Sequence, residues 1–327
     1  MTTVHLIGAS GYGALEAIRL LRAHPEISLG ALESGSHAGQ AVADHAPLLR
    51  DFERNFDPPG SALEQLHAGD AVICAMGSGQ AVRLVPELLA RGARVVDLSD
   101  DLRLQAHAGE AIYGFPDRYR DQLRSARLVA NPGCYPTATL LAALPLIPWR
   151  EQIVQLVVDA KSGITGAGRT PKESSLFAEV EGDVRAYGLG GHRHEPEIRQ
   201  ELDAMGLGAP LVFTPQVVPL ARGMLVSLYA FFKSAAPDEA ELRASAEHTF
   251  RGSPFVRVLP PQRAPSLVGV ARTNDCELHV SVKGKVVRVL SAIDNLGRGA
   301  AAQAVQNLNL MLGLPEEMGL DERLVRS

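Results

Sequence analysis

Val4-His5-Leu6-Ile7-Gly8-Ala9-Ser10-Gly11-Tyr12-Gly13-Ala14 is the stretch whose reading decides the fold. The first four residues read as a short buried strand and the glycines as a tight turn. Leu15, Ile18 and Leu21 then begin an apolar helical stripe that stops near Pro25. A strand–glycine loop–helix junction turns backbone N–H groups and a helix N-terminus toward one point, which suits a pyrophosphate. It predicts a dinucleotide site on Gly8, Ser10, Gly11, Tyr12 and Gly13; the rival reading is an ordinary turn.

Outward from this junction the same alternation recurs. Ile27 to Leu32, Ala71 to Met76, Arg94 to Leu98 and Arg127 to Ala130 read as strands, with a helix over Gly79 to Arg91. That is a doubly wound parallel sheet over residues 1–133. Beyond Cys134 strands dominate: 152–159, 211–218, 224–233, 267–272, 276–282 and 285–292, with one helix over 237–250. They predict a mixed or antiparallel sheet in a second domain, and a last helix near Gly299 to Leu312. Glu33 closes the second strand, where a carboxylate accepts from a free ribose 2′-OH and favours NAD, or simply faces solvent. Ser34 and Ser36 offer hydroxyls to a 2′-phosphate and favour NADP, but Gly35 stands between them. Both dinucleotides stay open on these residues.

Composition narrows the function classes. The chain has 327 residues, 46% of them apolar, and a net charge of −5. This balance gives no basic footprint for nucleic acid or an anionic bilayer. No apolar run reaches the ~18 residues that span a membrane, and the N-terminus has no charged-then-apolar leader, so a cytoplasmic protein is expected. Three widely spaced cysteines, Cys74, Cys134 and Cys276, fit neither a disulfide framework nor a zinc site, and no metal is expected.

Cys134 stands apart in Asn131-Pro132-Gly133-Cys134-Tyr135-Pro136-Thr137. A strand runs into Pro and Gly, and a helix carrying Leu140, Leu141 and Leu144 follows, so the thiol falls at a helix N-terminus. A helix end stabilises a thiolate by at most about 2 kcal/mol, or roughly 1.5 pKa units below the usual ~8.5. That leaves ionisation marginal, and a basic partner is expected. His192-Arg193-His194 supplies candidates: two histidines sharing a face if extended, for proton transfer, and an arginine for a carboxylate or phosphate oxygen. A metal site or a plain helix-capping role is the alternative there. Lys161-Ser162-Gly163-Ile164-Thr165-Gly166-Ala167-Gly168-Arg169 reads as a glycine loop after a strand, with Gly163 allowing close approach of a cofactor. In Ser291 to Gly299, the Asn295 amide suits a nicotinamide carboxamide.

Together these segments resemble the N-acetyl-gamma-glutamyl-phosphate reductases of arginine biosynthesis, over essentially the whole chain. The resemblance rests on Gly8 to Tyr12, Asp97 to Leu104, Tyr113 to Pro116, Asn131 to Thr137, Lys161 to Arg169, His192 to His194, Phe213 to Pro215 and Ala292 to Leu296. It implies a Rossmann domain, 1–133, completed by a C-terminal helix at about 297–327. A mixed-sheet α+β domain of the glyceraldehyde-3-phosphate dehydrogenase type, 134–296, would carry catalysis and oligomerisation as a dimer or tetramer. It implies NADPH-dependent reduction of a small acyl phosphate, with Cys134 as nucleophile and His192 or His194 as acid/base. Arg103, Lys161 and Arg193 are the cations expected to hold substrate. The chain departs from the family's pattern at Gly13-Ala14 for Thr-Gly, Ser34-Gly35-Ser36 for Ser-Arg-Ser, Met76-Gly77-Ser78-Gly79 for Leu-Pro-His-Gly, and Gln216 for the His of Thr-Pro-His. Rival readings are the same chemistry on a carrier-linked aminoadipyl phosphate, and a nucleotide-sensing protein without turnover.

Overall fold

The opening stretch forms β1 (Thr2–Ile7), and the helix Tyr12–Leu21 follows it. In the computed structural model, which describes residues 1–320, the chain divides into two units. Among the described residues, one holds Met1–Pro132 with 300–320; the other is Gly133–Gly299. Of the stretch 297–327 expected to complete the first unit, residues 321–327 lie outside the described residues.

The first unit continues through β2 (Ile27–Glu33), β3 (Ala71–Cys74), β4 (Arg94–Asp97), β5 (Ile112–Tyr113) and β6 (Leu128–Ala130). They form one sheet in the order β2-β1-β3-β4-β6-β5, and every pairing is parallel. The inner strands are buried on both faces, which is why they read as apolar runs rather than alternating ones. Strand order reverses between β1 and β3, and ligands of such sheets bind outside the strand ends at that switch point. The helix Ala302–Met311 enters after a π-helical turn, Gly297–Ala301, and is buried on every side. Two of its amides tie it into the unit: Asn307 donates to the Gly114 carbonyl and to Asn131 Oδ1, both at 2.9 Å, and Asn309 donates to the Met318 carbonyl at 2.8 Å.

The second unit contains β7 (Ile153–Gly163), β8 (Arg185–Ala186), β9 (Leu211–Val218), β10 (Met224–Phe232), β11 (Val256–Val258), β12 (Cys276–Lys283) and β13 (Val286–Ile293). Its sheet runs β11-β12-β13-β10-β7-β9-β8 and is mixed: β11–β12 and β7–β9 are parallel, the others antiparallel. Leu156, Val158 and Ala160 on β7 and Val226 and Leu228 on β10 are fully buried, while Val157 and Tyr229 alternate to the other, half-exposed face. The helix Cys134–Ala143 packs against β10 and β13.

One expected strand is absent. Residues 267–270 make a single helical turn instead, with Val268 87% exposed. The Glu277 carboxylate accepts the Ser266 N–H at 2.8 Å and ties down the start of that turn. Local side-chain-to-backbone bonding of this kind competes with strand pairing and is invisible to hydrophobic periodicity.

Candidate active site

In the first unit the phosphate loop is shaped by close backbone approach. Gly8 has φ +83°, and a Cβ there would lie 2.5 Å from the Ala75 carbonyl oxygen at the end of β3. Gly8 and Ala9 N–H both donate to the Glu33 carbonyl, at 3.1 and 2.7 Å. Gly11 precedes the Tyr12–Leu21 helix with no side-chain cap and no acid in the first turn, so its N-terminal N–H groups suit an anion. A Cβ at Gly13 would meet only Leu98, at 3.9 Å, so this third glycine is not demanded by packing. Ser10 Oγ accepts from Ser34 Oγ at 2.9 Å, joining the loop to the turn after β2, where Ser36 stands exposed.

Glu33 is neither solvated nor aimed at a ribose. Its carboxylate is buried and accepts the Ala62 N–H at 2.5 Å; burial raises its pKa. Arg103 is also inward: it donates to the carbonyls of Asn131 and Leu98, both at 2.8 Å, and so fixes the loop after β4.

The thiol region belongs to the second unit. Cys134 is the first residue of its helix and half-buried, whereas Cys74 and Cys276 are fully buried in strands. The Gly133 N–H donates to Glu197 Oε1 at 2.9 Å, and the Gly133 carbonyl accepts from the Thr137 N–H and Oγ1. Glu197 and His194 sit one turn apart on the helix His194–Ala204 and are both buried. The His194 ring lies against Gly133: a Cβ on that glycine would be 2.5 Å from Nε2. Gly299 is similarly required, since its Cβ would meet Cys134 Cβ at 2.7 Å.

Aromatic rings enclose this corner. Tyr135 lies 5.5 Å from the His192 ring and 5.9 Å from that of His194, and the two histidines are 5.0 Å apart. Tyr187 donates to Tyr135 Oη at 3.0 Å, and Tyr135 donates to the Gln216 carbonyl at 3.0 Å. Burial pushes the Tyr135 phenol well up and Tyr187 to about 12, and the Cys134 charge adds to both. Both phenols are therefore neutral donors. Burial, then the Arg193 charge, lowers His192 to about 4, so its imidazole is neutral. Its Nδ1 accepts the His194 N–H at 3.1 Å, which places the ring proton on Nε2.

Beside these rings lies a cavity of about 460 Å³ whose lining includes Ser162, Lys172, Arg185, Tyr187, His192 and Arg193. Gly163 also lines it and presses on the backbone of 220–222. Lys161 does not. Rather than following the strand it lies within β7, alternates to the opposite face from Ser162, and pairs with Asp159 at 2.5 Å. Asn295 is buried with both ends of its amide engaged: Oδ1 accepts from Gly223 N–H at 2.7 Å and Nδ2 donates to Thr165 Oγ1 at 2.9 Å. It holds the 163–168 loop in place. Sequence reading missed Glu197, Tyr187, Lys172 and Arg185. Only Glu197 left a signal, its three-residue spacing from His194 on one helix face.

This arrangement is that of the semialdehyde dehydrogenases. Residues 3–126 match the model of the semialdehyde dehydrogenase NAD binding domain, and residues 134–295 match that of the semialdehyde dehydrogenase dimerisation domain. Solved structures similar in fold include aspartate semialdehyde dehydrogenase II from Vibrio cholerae (TM-score 0.72, 15% identity, 95% of this chain and 98% of that one). Another is aspartate semialdehyde dehydrogenase with NADP from Candida albicans (TM-score 0.72, 16% identity, 95% and 98%). Over 98% of both chains the sequence is 44% identical to the N-acetyl-gamma-glutamyl-phosphate reductase of Alkalilimnicola ehrlichii and 40% identical to that of Moorella thermoacetica. The chain belongs to the N-acetyl-gamma-glutamyl-phosphate reductase family.

Proposed function

We propose that this chain reduces N-acetyl-glutamyl 5-phosphate to N-acetyl-glutamate 5-semialdehyde and inorganic phosphate, with NADPH, through a thioester on Cys134. The carrying observation is the setting of Cys134: a helix N-terminus, the His194 imidazole packed on the preceding glycine, and a cation-lined cavity bordered by the neighbouring His192 ring.

The Cys134 thiolate attacks the acyl carbon, a C–S bond forms, and the C–O bond to phosphate breaks. Arg193, with Lys172 and Arg185 in the same cavity, offsets the charge of substrate and leaving phosphate. A bound nicotinamide supplies the hydride that the thioester carbon needs. His194 gives a proton to the former carbonyl oxygen and takes it back as the C–S bond breaks and Cys134 leaves as thiolate. His192, neutral with its proton on Nε2, serves as a hydrogen-bond donor in the cavity rather than as a cation. Glu197 positions the thiol turn through Gly133.

The glycine loop of the first unit, uncapped and tightly apposed to Ala75, fits the dinucleotide's pyrophosphate; the inward Glu33 favours NADP over NAD. We place the enzyme in the cytoplasm; no helix among the described residues is long and apolar enough to cross a membrane. We also infer a homo-oligomer, built on the sheet of the second unit, since the face bearing Val157, Leu225, Tyr229 and Phe231 is left partly open.

The reverse assay tests this reading: N-acetyl-glutamate semialdehyde and phosphate with NADP, and separately with NAD. Turnover with NADP is expected, and none for Cys134→Ser, whose NADPH binding measured by fluorescence stays intact. Undiminished turnover in Cys134→Ser would sink the thioester, and activity only on a carrier-linked aminoadipyl semialdehyde would move the substrate.

A further inference from the structure

We propose that His37, held in place by the hydroxyls of Ser34 and Ser36, reads the ribose 2′-phosphate of NADPH and is what makes this chain prefer the phosphorylated dinucleotide. The inference rests on the dinucleotide reading above and concerns only the turn that leaves β2.

In a Rossmann unit the residues just after the second strand meet the ribose 2′ position, where an acid selects the hydroxyl and donors select the phosphate. Here the acid is withdrawn, since the Glu33 carboxylate is buried on the Ala62 N–H. The donors that follow are organised. Ser34 Oγ reaches Ser10 Oγ in the phosphate loop at 2.9 Å and accepts the His37 N–H at 3.2 Å. His37 Nδ1 lies 2.7 Å from Ser36 Oγ. The His37 ring is held edge-on to His45 at 4.3 Å and tilted on Phe56 at 6.2 Å. His45 is itself braced, its Nε2 lying 2.8 Å from Gln40 Oε1.

With Nδ1 engaged by Ser36, Nε2 is the imidazole's remaining polar atom. With the Ser36 O–H donating to Nδ1, the ring proton sits on Nε2, and that N–H is the donor the turn offers. That N–H suits a phosphate oxygen, while the Ser34 hydroxyl proton goes to Ser10 and the Ser36 one to His37, so the two hydroxyls orient the turn and the ring. Gly35, between them, carries no side-chain donor, so the donor at this turn is the His37 ring that follows the triplet.

The geometry at Gly35 also provides a gain-of-function test. A Cβ there would meet only Pro59 Cγ, at 3.9 Å, and no left-handed φ is required. A longer side chain is therefore accommodated without moving the backbone.

Direct binding of NADPH and NADH to the full-length protein, by nicotinamide fluorescence or calorimetry, reads the proposal without relying on turnover. The unaltered protein binds NADPH more tightly than NADH. His37→Gln weakens NADPH about tenfold or more, the scale of a lost hydrogen bond to a charged group, and leaves NADH unchanged. Gly35→Arg in the His37→Gln background recovers the NADPH affinity through a bidentate cation. Ser36→Ala, which removes the hydroxyl bonded to His37 Nδ1, lowers the NADPH-to-NADH ratio by a smaller factor and guards against a misfolded His37 variant. An unchanged ratio in His37→Gln, equal loss of both dinucleotides, or tighter NADH binding by the unaltered protein overturns the assignment. Binding of neither dinucleotide by the unaltered protein overturns the dinucleotide reading itself instead.

Discussion

At the scale of single residues, the proposed thioester chemistry would depend on what surrounds Cys134 as much as on the thiol. Gly133 shows this most directly. Its φ of −69° suits any residue, so the need for glycine is steric: His194 occupies the space a Cβ would fill. Gly133→Ala is expected to displace the ring and lower kcat at least about a hundredfold, the scale of removing a general acid/base. Overpacking of this kind costs roughly 1–3 kcal/mol of stability. NADPH affinity should be untouched, and kinetics with calorimetric unfolding on one preparation separates the two effects. His192 yields a pH prediction. Its pKa falls from the ordinary 6.5 to about 4, so between these values the unfolded chain binds a proton that the native one refuses. The stabilisation it gives is full above pH 6.5 and is lost as pH falls toward 4. Unscreened, the shift corresponds to about 3 kcal/mol; the ring is half-exposed, and screening leaves about 1–2 kcal/mol. Unfolding free energies from urea titrations at pH 7 and 4.5 should converge by that amount in His192→Gln relative to the unaltered protein.

At the scale of elements, the legible parts were those whose physics is local. The strand–loop–helix junction at Gly8 could be read because apolar runs, glycines and the helical stripe from Leu15 each carry their own signal, and the parallel sheet followed from repetition. Cys134 at a helix start was legible for the same reason, since Pro132 and Gly133 end one element and Leu140 and Leu141 mark the next. What failed was set by tertiary partners. The turn at 267–270 is fixed by Glu277, ten residues beyond Leu267 in sequence. In sequence Lys161 reads as part of a loop because the glycines after it look like one, yet β7 runs through Gly163 and its pleat carries the lysine to the other face. The Asn295 amide reads as an open donor in sequence and is engaged at both ends in the fold. Glu33 is the same lesson: its place at the end of β2 suggests a ribose partner, but the start of the helix Ser61–Gln65 takes the carboxylate. A side chain's residue type sets what it can bond; only packing sets which partner gets it.

At the scale of the whole molecule, the open face of the second unit's sheet is the feature that a single chain leaves unresolved. β10 lies centrally, paired with β13 on one side and β7 on the other. Its outward residues Leu225, Tyr229 and Phe231 share that face with Val157 of β7 and Leu290 of β13; Tyr229 stands opposite Val157 and Arg288. Asp159, Lys161 and Arg288 lie among these apolar residues, a mixed face of the kind the proposed homo-oligomer would cover. Stable interfaces bury about 1,200–2,000 Å² in total, which the face of a seven-stranded sheet is large enough to provide. An isologous pairing would set β10 of one copy near β10 of the next, so one substitution acts twice. Tyr229→Glu combined with Leu225→Glu therefore introduces four carboxylates into a single dimer interface. Light scattering after size exclusion should give at least twice the mass of one chain for the unaltered protein and the mass of one chain for the double variant. Circular dichroism should show the variant still folded, because both positions are only half-buried within a protomer. An unaltered protein that runs as a monomer at micromolar concentration would defeat this reading of the sheet, and would leave the Cys134 corner and the cavity beside it to act within one chain.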